Sequence, residues 1–130
     1  MNITTEELIE KARAVVKPTK NRHGFSIADC CCALITDNGN IYLGVSIDTP
    51  SSMGFCAEHS AIAAMITNHE YKIKTIVAVL GDGTVLPPCG RCREFMYQIE
   101  KGNLETDIIV KNDKVVKLRD LLPYAWDEDL

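Results

Sequence analysis

The chain has 130 residues, 46% of them hydrophobic, a net charge of -4 and a pI near 5.3. That length suits one globular domain, residues 1–130, able to bury a core without covalent staples. The acidic balance argues against a nucleic-acid polymer, whose phosphates need a concentrated basic surface. No apolar run approaches the roughly 20 residues that cross a bilayer, and "MNITTEELIEKARAVV" lacks the positive start and apolar core of a signal peptide. The expectation is a cytoplasmic protein with a small-molecule partner.

Thr4 and Glu7 form a capping box, and Leu8, Ala12, Val15 and Val16 recur at helical spacing until Lys17-Pro18 ends the pattern. After the polar stretch "TKNRHG", an apolar strand runs from Ile27 to Ile35. Asn38-Gly39 then supplies the positive φ of a tight hairpin, and "IYLGVSI" returns as its partner. The alanine-rich "FCAEHSAIAAMITNH" reads as a second helix and "KTIVAVLGD" as a buried strand. Beyond Pro87 and Pro88, "CGRCREFMYQIEKG" reads as a third helix closed by Gly102, followed by the strand "TDIIVKN" and a hairpin partner "KVVKL". A short helix and tail, "RDLLPYAWDEDL", end the chain. The β-α-β alternation predicts an α/β layer fold with helices packed on a five-stranded mixed sheet.

This order places Cys56 at the start of the second helix, and Cys89 and Cys92 at the start of the third. Helix N-termini favour the thiolate, the form that binds zinc. Three thiolates and one open position make the ligand set of a catalytic zinc; a structural zinc is closed by a fourth protein ligand. Cys30, Cys31 and Cys32 lie in a strand, where Cys30 and Cys32 share one face and Cys31 takes the other, so they read as small core residues.

Glu58 lies two residues after Cys56, near the open position. As a first-turn acid it also complements the helix dipole, an effect of only about 0.3 to 1 kcal/mol. A water polarised by the metal needs a base to take its proton and an acid to return it, and one carboxylate can do both. Glu58 is therefore cast as a proton shuttle.

"CAE" at Cys56 to Glu58 followed by "PCGRC" at Pro88 to Cys92 resembles the zinc signature of the cytidine deaminase superfamily. "ALITDNG" and the terminal "LLPYAW" extend the resemblance over nearly the whole chain, while "PPCGRCRE" and Tyr124-Ala125-Trp126 also resemble the blasticidin S deaminases. The resemblance implies a three-layer α/β/α fold, one zinc per chain on Cys56, Cys89 and Cys92, and hydrolytic deamination of a cytosine nucleoside with Glu58 as catalytic residue. Blasticidin S is the alternative substrate. It further implies a homotetramer, backbone contacts near Ala57 and Pro87 to the amino end of the base, and Trp126 as a cap on the base, supplied by a neighbouring subunit.

Where the nucleoside enzymes carry "N-x-E" to hold the ribose, this chain has Ser46 and Asp48, a shorter clamp. Where many carry an arginine after "CAE", it has His59, leaving His59, Arg91 or Arg93 to offset the thiolate charge. Two other readings of the thiols exist, a thioredoxin-like redox pair and a purely structural zinc. The first leaves Cys56 and Glu58 without a role, and the second leaves Glu58 without one.

Overall fold

The computed structural model describes residues 3–20 and 24–129, so Asn21 to His23 of the polar "TKNRHG" stretch lie outside the described residues. Helix α1 spans Thr5–Ala14; Thr4 caps it, its hydroxyl accepting the Glu7 N–H at 3.1 Å. Leu8, Ile9 and Ala12 form its buried stripe, and Val15 is already the C-cap residue, half-buried beneath the helix end. Strand β1 (Thr19–Lys20) is followed by the hairpin of β2 (Ser26–Thr36) and β3 (Ile41–Asp48). Then come α2 (Ala57–Thr67), β4 (Ile73–Leu80), β5 (Val85–Leu86), α3 (Gly90–Ile99), β6 (Asp107–Lys111), β7 (Lys114–Lys117) and α4 (Leu118–Leu121).

The five longer strands lie in the order β3-β2-β4-β6-β7, with β4 and β6 parallel and the other pairs antiparallel. Among the described residues the sheet has seven strands, not five. β1 pairs with the start of β2 and β5 with the end of β4. Both additions are two-residue ladders: Thr19 and Lys20 are exposed and polar, and Val85-Leu86 runs into a double proline, so neither carries the alternating pattern that marks a strand in sequence.

Alternation along β2 sorts its side chains onto two faces, and the fold has three layers. Cys31, Ala33 and Ile35 pack with Val77 and Val79 against α1 on one face. Cys32 and Leu34 pack with Ile76 and Ile108 against α2 and α3 on the other, with Leu118 of α4 and half-buried Cys30. The three adjacent cysteines are therefore divided between two cores, as strand geometry requires.

Two local expectations change. In the β2–β3 turn only Gly39 has positive φ (85°), Asn38 does not, and the loop is closed by Gly39 N–H to Thr36 O at 2.9 Å. Helix α3 ends at Ile99, before Gly102, because the chain tightens into a 3-10 turn over Lys101–Glu105. Asn103 holds that turn. Fully buried, it accepts the Ile73 N–H at 2.8 Å and donates to the carbonyls of Tyr71 and Met96, each at 3.0 Å. No helix among the described residues is long and apolar enough to cross a membrane.

Candidate functional site

Cys56 and Cys89 occupy equivalent places, as the N-cap residues of α2 and α3, with extended backbones (φ -69°, ψ 158° and φ -69°, ψ 167°). Neither side chain makes a capping hydrogen bond. Cys92 lies one turn into α3. Cys89 Sγ stands 3.6 Å from Cys56 Sγ and 3.5 Å from Cys92 Sγ, and the three sulfurs all lie within 4.8 Å of one another. At a Zn–S length of about 2.3 Å, tetrahedral geometry separates sulfurs by about 3.8 Å. The three thiols fit a zinc ion, and none of them is in a disulfide.

Their electrostatics are those of a cluster that needs a cation. Burial raises the pKa of Cys92, the most enclosed of the three, and Glu58 adds to the rise. Burial also raises Cys56. For Cys89, burial pulls upward, but N–H groups at the start of α3 and the neighbouring thiols outweigh it and the pKa falls. Three adjacent thiolates repel one another; a bound divalent cation removes that repulsion and displaces their protons.

Glu58, the second residue of α2, is 5% exposed. Burial lifts its carboxyl above the ordinary range, while its own N–H and the Cys92 thiol pull the other way. His59 follows on the helix. Its Nδ1 is 3.5 Å from Cys92 Sγ, and its ring stacks on Phe95 of α3, centroids 4.2 Å apart and planes 5° from parallel. Burial, with the Arg91 charge nearby, lowers the His59 pKa. Arg93 is committed elsewhere, donating to the carbonyls of Pro88 (2.8 Å) and Leu121 (3.1 Å).

A cleft of about 510 Å³ opens over the thiols and Glu58. Apolar Ile47, Phe55, Leu86 and Pro87 form much of its wall, and Arg91 lines it as well. Ser46 and Asp48, read from the sequence as substrate contacts, both line it. The Ser46 hydroxyl oxygen accepts the Cys30 N–H at 2.9 Å, which leaves its own proton to donate. Ala57 is fully buried in the first turn of α2 and does not line the cleft. Trp126 is 75% exposed, tied by its backbone N–H to Glu94 at 2.9 Å, and lies outside the cleft of its own chain. Cys30 and Asp29 are among the lining residues that were not singled out in the sequence for this role. Cys30 was read as core, yet it faces the cleft with a thiol pushed up to about 12 by burial and by the nearby Glu58. Asp29 precedes it on β2.

Residues 3–105 match the family described as the cytidine and deoxycytidylate deaminase zinc-binding region. The chain belongs to that family. A cytidine deaminase of Mycobacterium tuberculosis is 32% identical over 98 residues, covering 75% of this chain and 71% of the relative. One of Mycoplasma genitalium is 32% identical over 107 residues, 78% of this chain and 80% of the relative. The crystal structure of cytidine deaminase from Mycobacterium leprae superposes with a TM-score of 0.78 at 27% identity, covering 94% of this chain and 99% of that one. The family matched is defined by a zinc-binding region, and Cys56, Cys89 and Cys92 are the thiol cluster this chain offers among the described residues.

Proposed function

We propose that the chain is a zinc-dependent hydrolase that converts cytidine or deoxycytidine and water to the corresponding uracil nucleoside and ammonia. One zinc per chain is held by Cys56, Cys89 and Cys92, within a single domain, residues 1–130. The observation that carries this reading is a cluster of three thiols free of disulfides, two of which line one cleft together with a buried carboxylate of raised pKa.

Zinc bound there supplies Lewis acidity, which makes water a competent nucleophile at neutral pH. Glu58 accepts one proton from the attacking water and delivers it to ring N3, then takes the second proton from the hydroxyl now on the ring carbon and passes it to the departing amine, which leaves as ammonia. Its burial suits both halves of the task, because a raised pKa brings the acid and base forms closer in energy near neutral pH. Ser46 donates toward the sugar and Asp48 accepts from it, while backbone near Ala57 and Pro87 borders the amino end of the base. Exposed Trp126, outside its own cleft, caps the base bound by a neighbouring copy in a homotetramer. The enzyme acts in the cytoplasm on free nucleosides.

The relatives named above are cytidine deaminases, which supports cytidine over blasticidin S. A redox pair of Cys89 and Cys92 leaves Cys56, only 3.6 Å from Cys89, without a part. The test is ammonia release by the zinc-loaded protein from cytidine, deoxycytidine, blasticidin S and adenosine. Release from the first two is expected, with loss of both zinc and turnover in Cys89→Ala. Release from adenosine or blasticidin S alone, or full zinc in Cys89→Ala, overturns the reading.

A further inference from the structure

The β2–β3 ladder breaks between Ile27 and Cys31, and at the break Ala28 has a φ of 64° while only 3% exposed. A residue with a Cβ enters the left-handed region at a cost, and such conformations persist where the surroundings hold them. Here the next carbonyl, that of Asp29, accepts the Gly81 N–H from the end of β4 at 2.9 Å. A bulge re-aims the side chains beside it. The consequence is that Asp29 lines the cleft together with Asp48 from the facing strand.

Burial divides the cleft into a floor and a mouth. Of the residues that line it, Glu58 is buried, whereas Asp29, Asp48 and Arg91 are exposed. Among the described residues, neither aspartate side chain has a hydrogen-bond partner or salt bridge, and Arg91 is paired with neither. A ligand seated on the floor therefore meets two carboxylates at the mouth, groups that accept hydrogen bonds and repel negative charge. The sequence pattern does not expose this pairing, because strict alternation along β2 takes no account of the bulge.

We propose that Asp29 is a specificity-determining residue that, with Asp48, accepts hydrogen bonds from the sugar hydroxyls of the substrate. The proposal rests on the nucleoside deaminase reading of the same site. A hydroxyl-to-carboxylate hydrogen bond is stronger than one between neutral groups, and a site built to receive hydroxyls discriminates against substrates without them.

The experiment compares kcat and KM of zinc-loaded wild type and Asp29→Asn on cytidine, 2′,3′-dideoxycytidine and cytidine 5′-monophosphate, with melting temperature and zinc content measured in parallel. For cytidine, a fall in kcat/KM of about tenfold or more is expected, mainly through KM, from loss of a charged acceptor. The dideoxy analogue should change by less than about twofold, and the monophosphate should gain on cytidine as the negative charge is removed. An unchanged ratio of cytidine to dideoxycytidine, or an equal fall on both, overturns the proposal in an active enzyme. Wild type that deaminates no cytosine nucleoside overturns the functional reading and this proposal with it.

Discussion

Gly44→Ala should disable the site without replacing any residue in it. Gly44 lies in β3 where the strand crosses α2, and a Cβ there would stand 2.3 Å from Ala61 N, 2.5 Å from Ala57 O and 2.9 Å from Ala61 Cα. These are helix backbone atoms, which no side-chain rotation can move aside. Ordinary contact begins near 3.4 Å, so α2 must retreat by about 1.1 Å. The helix carries Cys56 at its cap and Glu58 in its first turn, so the retreat shifts one thiol against Cys89 and Cys92 and the carboxylate against the cleft. Overpacking of this kind costs about 1 to 3 kcal/mol, and a displacement of about 1 Å at a reacting group costs on the order of 100-fold in rate. At about 4 °C per kcal/mol for a domain of this size, the melting temperature should fall by about 4 to 12 °C. Differential scanning fluorimetry of the zinc-loaded protein and ammonia release measure the two effects. A melting temperature within about 2 °C of wild type together with turnover within about twofold would refute the reasoning.

His59→Ala removes the imidazole beside Cys92 Sγ. Zinc affinity, measured by chelator competition, should drop about 10- to 100-fold, and unchanged affinity would show that the contact does not act on the metal site. Asn103→Leu leaves the Ile73 N–H and the carbonyls of Tyr71 and Met96 buried without partners. Urea unfolding should show a loss of about 3 kcal/mol or more, and a loss under about 1 kcal/mol would contradict its placement. Hydrogen bonds from Thr36, Tyr42, Asn40 and Asn38 hold the Glu70 carboxyl down from 4.5 to about 2. The sign follows: a depressed pKa stabilises the fold above the unfolded value of 4.5, and the contribution fades as pH falls toward about 2. The stability gap between wild type and Glu70→Gln should be constant above about pH 5 and narrow below about pH 4; a gap independent of pH would refute the assignment.

The metal cluster was legible in the sequence because its signal is local. Each thiol is placed by a helix start, and α2 and α3 bring those starts together. The division of Cys31 from Cys32 followed from strand periodicity for the same reason, while the three layers came from the family resemblance. What stayed hidden depends on contacts between distant segments. Asn103 lies in "KGNLET", a string of turn-forming residues, and only its burial against Ile73 and Met96 makes it a structural node. Asp29 reaches the cleft through a left-handed Ala28, which no propensity predicts for alanine. His59 was one of three candidates until Phe95, beyond Cys92 on the other helix, fixed its ring. Trp126, by resemblance a cap supplied by a neighbouring subunit, stands outside its own chain's cleft with its backbone tied to Glu94.

The central claim is that Glu58 moves protons in a hydrolysis supported by a zinc it does not bind. Its most direct test is the conversion of cytidine by wild type and Glu58→Gln, followed by ultraviolet absorbance with ammonia and bound zinc quantified on the same samples. Wild type should release one ammonia per cytidine consumed. Glu58→Gln should keep its zinc and its melting temperature while losing turnover by about 100-fold or more. Near wild-type turnover in Glu58→Gln, or loss of its zinc, would contradict the account.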